Sequence, residues 1–289
     1  MIDEEALALN NSAALKTEVK GHWEKETCGT RYSDEADRKS YFDEISASRY
    51  ELEPYIPSFA DFQSANGKTV LEIGVGAGAD FQNWCEHAAH ATGIDLTERA
   101  ISLTGERLSL NSVAPEKYTL LATDAENLPF DDDSFDIVYS WGVLHHTPDT
   151  DRAFREAFRV LKPGGSIKAM IYHDPSWTAL MLYAQHALFR GKPKTKIRDV
   201  VFQHLESPGT KVFTVGEARQ FLAEIGFSNI KLSTRLGPGD LLLIKPSKKY
   251  DSPFFKMIWQ IYPRWLVRLM GERYGLSLLI NANKPAESA

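Results

Sequence analysis

The sequence predicts an α/β fold: a doubly wound, seven-stranded, mostly parallel sheet with a helical cap and insertions. Beyond Lys68, short apolar runs alternate with amphipathic helical stretches, the rhythm of βα units. The first of these runs ends in glycines at alternate positions, Gly74, Gly76 and Gly78, before a helical stretch, as expected of a tight strand-to-helix turn. With 289 residues, 43% of them apolar and 25% charged, the chain can bury a substantial core, so disorder is not the expected state.

Residues 1–67 are polar and in places helical, with Trp23, Tyr32, Tyr41, Phe42, Tyr50 and Tyr55 among the charges. They read as an N-terminal helical cap that either covers a sheet edge or faces the substrate as a lid. Residues 68–289 read as the main domain. Its first strand is Thr69–Ile73, followed by the glycine turn and a helix from about Asp80 to His90. Gly93–Leu96 forms a second strand, Thr97 caps a helix ending near Leu110, and Tyr118–Ala122 is a third strand. Phe135–Ser140 is the fourth. Asp149 or Thr150 then caps a helix whose apolar side carries Ala153, Phe154, Ala157, Phe158 and Leu161, stopped by Lys162-Pro163-Gly164-Gly165. Ser166–Tyr172 is the fifth strand, Val215–Ile225 the last helix, and Ile230–Thr234 and Leu276–Ala282 are the closing strands. Two segments break the alternation, at about 173–212 and 237–275, and read as insertions.

Composition narrows the function classes. A formal charge of −6 gives no basic field of the kind that nucleic acid requires, so no nucleic-acid partner is expected. The acidic start, Met1-Ile2-Asp3-Glu4-Glu5, lacks the pattern of a secretory signal, and the two cysteines, Cys28 and Cys85, make no C-x-x-C pair. The expected location is the cytoplasm. No metal site is expected: His87 and His90 share a helix face at i and i+3, but no acidic or cysteine partner stands nearby.

The glycine turn lets the backbone approach a ligand closely and exposes N–H groups at a helix start. Asp95, about 20 residues further on at the end of the second strand, suits a bidentate acceptor for two ribose hydroxyls. Gly74, Gly76 and Ala79 equally satisfy the dinucleotide fingerprint, so these features imply an adenosine-type ligand without choosing it.

The chain beyond the third strand makes the choice. The runs Asp124-Ala125-Glu126-Asn127-Leu128-Pro129-Phe130, Ser134-Phe135-Asp136-Ile137-Val138 and Gly142-Val143-Leu144-His145-His146, continued by Arg159-Val160-Leu161-Lys162-Pro163-Gly164-Gly165, stand in the same order as in one family. The segment Lys68–Tyr172 closely resembles the class I (Rossmann-like) S-adenosylmethionine-dependent methyltransferases, in particular the subgroup of ubiquinone and menaquinone biosynthesis. The resemblance implies that the cofactor is S-adenosylmethionine and its product S-adenosylhomocysteine. It implies that Glu72, Gly74, Gly76 and Gly78 form the loop at the methionine end and that Asp95 holds the ribose. Asp124 and Ala125 would receive the adenine, Leu96 would pack on its face, and Ser140, Trp141 and Gly142 would line the floor near the sulfonium.

Methyl transfer from a sulfonium needs positioning and exclusion of water more than a dedicated catalytic group. A hydroxyl or protonated amine acceptor would still gain from a base, and His145, His146 and His173 lie just beyond strand ends, with His145 and His146 the candidates. The aromatic and basic stretch 254–270, interrupted by Pro263, is too short and too charged to span a bilayer. It reads as part of the acceptor lid, or else as a peripheral membrane or partner contact. Either reading suits a small-molecule acceptor with apolar, aromatic or lipid-like parts. The basic run 190–198 reads as a solvated turn, or else as a receiver of an acceptor's phosphate or carboxylate. Two alternatives stay open: an NAD-dependent oxidoreductase, and a catalytically silent scaffold that binds S-adenosylmethionine. The oligomeric state is not readable.

Overall fold

A computed structural model describes residues 4–243 and 260–286, the side chains from residue 12 onward. Its centre is one seven-stranded sheet. The strands are β1 (Thr69–Ile73), β2 (His90–Asp95), β3 (Tyr118–Ala122), β4 (Phe135–Trp141), β5 (Leu161–Tyr172), β6 (Ser228–Arg235) and β7 (Ser277–Asn283), in the order β3-β2-β1-β4-β5-β7-β6. All neighbours pair in parallel except β7, which runs antiparallel to both β5 and β6. The order reverses between β1 and β4, and ligands of such sheets bind beyond the carboxyl ends of the strands at that switch.

The seven expected strands all form, β1 and β3 with the expected ends and the other five with shifted ones. β2 begins at His90, so His90 lies on a strand and not on the helix face with His87. The helix α4 (Ala79–His87) ends at His87, and the His90 ring bonds the Glu116 carbonyl and the Thr119 hydroxyl at 3.1 and 3.0 Å. The helices α5 (Glu98–Leu110) and α6 (Thr150–Val160) begin at side-chain caps, Thr97 accepting from Ala100 N–H and Asp149 from Arg152 N–H. β5 extends back to Leu161 because Leu161 pairs with Phe135 across an irregularity, so the Lys-Pro-Gly-Gly run lies within the strand.

The segment before β1 forms α1 (Glu4–Lys25), α2 (Arg38–Leu52) and α3 (Ile56–Ala60). Phe42, Ile56 and Ala60 are fully buried, so α2 and α3 belong to the packed core. α1 lies across the loops at the carboxyl ends of the strands. Lys16 reaches the loop after β3, the carbonyls of Glu24 and Lys25 accept from Arg99 at the start of α5, and Trp23 packs edge-on against His146 after β4 at 5.5 Å.

Between β5 and β6 stand α7 (Trp177–His186), α8 (Ile197–His204) and α9 (Val215–Ile225), the last held by a reciprocal capping box of Thr214 and Glu217. α10 (Arg264–Met270) precedes β7. Of the second expected insertion, residues 244–259 lie outside the described residues, including 254–259 of the aromatic stretch. Among the described residues no helix is long and apolar enough to cross a membrane.

Candidate functional site

The glycine turn after β1 is built as a cradle. Gly74, Gly76 and Gly78 have φ of +87°, +54° and +76°, a region that side-chain-bearing residues adopt at a cost. A Cβ at Gly74 would overlap Val143, and one at Gly78 would press on Thr104 at 3.0 Å. At Gly76 such a Cβ would lie in ordinary van der Waals contact with Cys28, 3.6 Å away, so the N-terminal segment runs directly over the loop there.

Beside this cradle Glu72 is 3% exposed, and its Oε2 has no hydrogen-bond partner. Burial, and then the neighbouring Asp80 carboxylate, hold its pKa well above the usual carboxylate range. An orphaned buried carboxylate oxygen next to the glycine loop fits the ammonium of a methionine moiety. Asp95 ties the end of β2 to the same loop. Its Oδ1 accepts from the Thr97 amide and hydroxyl at 3.0 and 2.8 Å, and its Oδ2 accepts from Gly76 N–H at 3.2 Å. Burial raises its pKa despite those bonds. Oδ1 already accepts two bonds and Oδ2 one, so one acceptor direction is left on Oδ2 for a ribose hydroxyl, and a second hydroxyl would take the place of the Thr97 hydroxyl on Oδ1. Leu96, half-buried, follows directly.

Asp124 and Ala125 stand after β3. Asp124 Oδ1 accepts from Glu126 N–H at 2.9 Å, and Oδ2 pairs with Lys16 at 2.5 Å. Ala125 is buried. On β4 the Ser140 hydroxyl donates to the Ile73 carbonyl at 3.1 Å and locks β4 to β1. Trp141 donates its indole N–H to the Glu53 carboxylate at 3.2 Å and lies among Tyr55, Phe59 and Tyr139. Gly142, at φ +73°, donates to the Met170 carbonyl at 3.0 Å and turns the chain toward the two histidines.

Those histidines differ sharply. His145 is fully buried, neither ring nitrogen has a partner, and burial holds its pKa well below 6.5. Its ring lies 4.0 Å from that of Tyr172. His146 is oriented from both sides: Nδ1 meets the Ser207 and Thr210 hydroxyls at 2.9 and 3.1 Å, and Nε2 stands 3.4 Å from Glu206 Oε2. His173 bonds the Gly275 carbonyl at 3.0 Å and is buried, the arrangement of a structural histidine.

Sequence reasoning missed several residues here. Glu206, in the first insertion, takes φ +54° and accepts from the Tyr172 hydroxyl at 2.8 Å while facing His146. Burial works to raise its pKa, but the pull of His146 and Tyr172 lowers it on balance. Cys28 is solvent-exposed, yet the protein around it pushes its thiol up to about 11. Under the floor, Asp80 accepts both Arg49 guanidinium bonds and the hydroxyls of Tyr50 and Tyr139. No periodicity or motif marks Glu206, Cys28 or Arg49, because the fold brings them together from a loop, a turn and a cap helix. A groove of about 510 Å³ between α8 and α9 is lined by none of the expected site residues. Among the described residues no cluster suits a metal ion.

Comparison with known proteins agrees with this architecture. The model of a family described as "Methyltransferase domain" matches residues 71–168. Phthiotriol/phenolphthiotriol dimycocerosates methyltransferase of Mycobacterium tuberculosis is 33% identical over 193 residues, 61% of this chain and 67% of that protein. Phosphoethanolamine N-methyltransferase 2 of Caenorhabditis elegans is 37% identical over 118 residues, 40% of this chain; the match spans only 26% of that protein's length. The ubiquinone/menaquinone biosynthesis C-methyltransferase UbiE of Vibrio parahaemolyticus is 28% identical over 162 residues, covering 55% of this chain and 57% of that one. Among solved structures, phosphoethanolamine N-methyltransferase 2 of Haemonchus contortus, in complex with phosphomonomethylethanolamine and S-adenosylhomocysteine, superposes with a TM-score of 0.59 at 18% identity. It covers 92% of this chain and 60% of its own. With a sheet of this order, the methyltransferase-domain match and relatives of this kind, the chain belongs to the class I S-adenosylmethionine-dependent methyltransferases.

Proposed function

We propose that this chain transfers a methyl group from S-adenosylmethionine to a small-molecule acceptor with apolar, aromatic or lipid-like parts. The observation that carries the proposal is the glycine cradle with the unpartnered Glu72 oxygen beside it, a site that already fits one end of the cofactor. Bound there, S-adenosylmethionine supplies an electrophilic methyl on a sulfonium leaving group. Glu72 and the loop from Gly74 to Gly78 would hold the methionine end, Asp95 the ribose hydroxyls, and Asp124 with the Ala125 N–H the adenine. Leu96 would pack on the adenine face, while Ser140, Trp141 and Gly142 shape the floor.

The acceptor would enter between that floor and the cap, where Trp141, Tyr172 and Cys28 converge. The cap and the two insertions would act as its lid and exclude water. His146 is the better candidate base: hydroxyls fix its Nδ1, and Glu206 beside Nε2 would stabilise the imidazolium formed when a proton arrives. His145, sealed and without partners, would serve in packing. The mycobacterial relative is named for dimycocerosates and the Vibrio relative for ubiquinone and menaquinone, which supports an apolar acceptor.

The test is formation of S-adenosylhomocysteine from S-adenosylmethionine with a panel of phenolic lipids, quinols and amino alcohols. Turnover on an apolar phenol or quinol is expected. Cofactor binding without turnover on any member would favour the silent-scaffold reading, and turnover on amino alcohols alone would overturn the apolar acceptor.

A further inference from the structure

We infer that the outer face formed by α7, the turn after it and α10 docks on an anionic lipid surface. This inference does not rest on the methyl-transfer reading. The chain carries more acids than bases, 39 against 33, yet residues 177–198 contain no Asp or Glu and five Lys or Arg. Residues 260–271 likewise contain no acid and two Arg. The fold brings these two acid-free segments together. Leu180 of α7, Ile197 and Met270 of α10 line one groove of about 250 Å³ with Trp177, Tyr274 and Asp174, whose carboxylate is paired with Arg198.

On the same two segments, apolar side chains stand in solvent. Phe189 is 81% exposed, Leu269 75% and Trp265 69%. On α10 only Val267 is buried, so Trp265 and Leu269, one helical turn apart, form an outward apolar edge. The basic turn is held beside Phe189: the Tyr183 hydroxyl donates to the Pro193 carbonyl at 2.7 Å, and Lys192 N–H donates to the Ala187 carbonyl at 2.9 Å. Arg190, Lys192, Lys194 and Lys196 have no carboxylate partner among the described residues, whereas Arg198, at the end of the run, pairs with Asp174 and Glu217.

Exposed aromatic and leucine tips on segments that carry unpaired cations and no acids match a bilayer surface with negative headgroups: the tips reach the acyl boundary and the cations stay among the phosphates. A protein partner would call for a continuous fitted surface instead. Trp265 suits the interface in particular, where an indole can be apolar on its faces and wet at its N–H.

The experiment is co-sedimentation of the intact protein with vesicles of phosphatidylcholine alone and of phosphatidylcholine mixed with phosphatidylglycerol, at low and high salt. Binding to the mixed vesicles is expected, weakened at least about tenfold on pure phosphatidylcholine and again at high salt. Two variants, Lys192→Glu/Lys194→Glu/Lys196→Glu and Phe189→Ser/Trp265→Ser, should each lose at least about tenfold in vesicle affinity. All five side chains are exposed, so both variants should melt like the parent, which separates lost docking from lost folding. No vesicle binding, equal binding to both compositions, or unchanged binding of the two variants would overturn the inference. So would a self-associated protein in sedimentation equilibrium whose dimer, rather than its vesicle binding, is lost in Phe189→Ser/Trp265→Ser.

Discussion

The Lys16 ammonium lies 2.5 Å from Asp124 Oδ2, and it also reaches Glu126 Oε2 at 2.6 Å. One lysine of the N-terminal helix thus clamps the loop that is proposed to receive the adenine. Burial opposes the charge on Lys16, but the two carboxylates outweigh it and raise its pKa above the usual lysine value. A group with a raised folded pKa stabilises below its unfolded pKa and loses that effect as pH climbs through the folded value, so the clamp should hold until strongly alkaline pH. Lys16→Ala should speed amide hydrogen exchange along α1, and a double-mutant cycle with Asp124→Asn should give a coupling of about 0.5–1 kcal/mol for this partly exposed pair. Unchanged exchange would mean that α1 is held by other contacts.

Asp80 and Arg49 should dominate stability under the site. Asp80 is 2% exposed and holds the Arg49 guanidinium together with two tyrosine hydroxyls. Asp80→Ala would leave a buried cation unpaired and should cost about 3–5 kcal/mol in denaturant unfolding. Replacing both partners, Asp80→Leu with Arg49→Met, should cost clearly less than the single change. Equal losses would show that the tyrosine bonds, not the unpaired charge, set the penalty.

Gly74 is predicted to be irreplaceable for two separable reasons. Its φ of +87° disfavours any side chain, and a Cβ would strike Val143. Gly74→Ala should therefore destabilise severely. Adding Val143→Ala should recover the steric part and leave a conformational residue of about 1–2 kcal/mol. Full recovery would mean that the backbone at Gly74 relaxes freely.

His145 should make the fold acid-sensitive. Burial depresses its folded pKa well below 6.5, so below that pH the unfolded chain takes up a proton that the folded one refuses. The contribution is present above about pH 6.5 and should fall by about 1.4 kcal/mol per pH unit below it, until the folded pKa is reached. The buried carboxylates with raised pKa, Glu72 and Asp95, act in the opposite direction, so the quantity to measure is the stability difference between wild type and His145→Gln at pH 7.5 and 5.5. The variant should gain on the wild type as pH falls. A pH-independent difference would place His145 in contact with a proton acceptor.

The sheet was legible because its signals are local and periodic: each of the seven strands is an apolar run bounded by turn residues, and Thr97 and Asp149 cap the helices that their side-chain chemistry suggests. Strand ends were less legible, because pairing decides them. β2 recruits His90 through its pairing with Thr69 of β1, and β5 recruits Leu161 through Phe135, neither of which a propensity marks. The strand ends and glycine turn that carry the proposed cofactor residues were readable, since those residues follow strands at fixed spacing. The proposed acceptor side was not, since Cys28, Glu53 and Glu206 meet only through tertiary packing, and Glu206 sits in a left-handed turn with no glycine to announce it.

The central claim is that this site binds S-adenosylmethionine through Asp95. Its most direct test is calorimetric titration of wild type and Asp95→Ala with S-adenosylmethionine, S-adenosylhomocysteine and NADH. The account predicts that the wild type binds the first two and not the third. It also predicts that Asp95→Ala, which removes charge-assisted ribose bonds of roughly 1.5–3 kcal/mol each, binds them at least about tenfold more weakly. Binding of NADH alone, or an affinity that Asp95→Ala leaves unchanged, would contradict it.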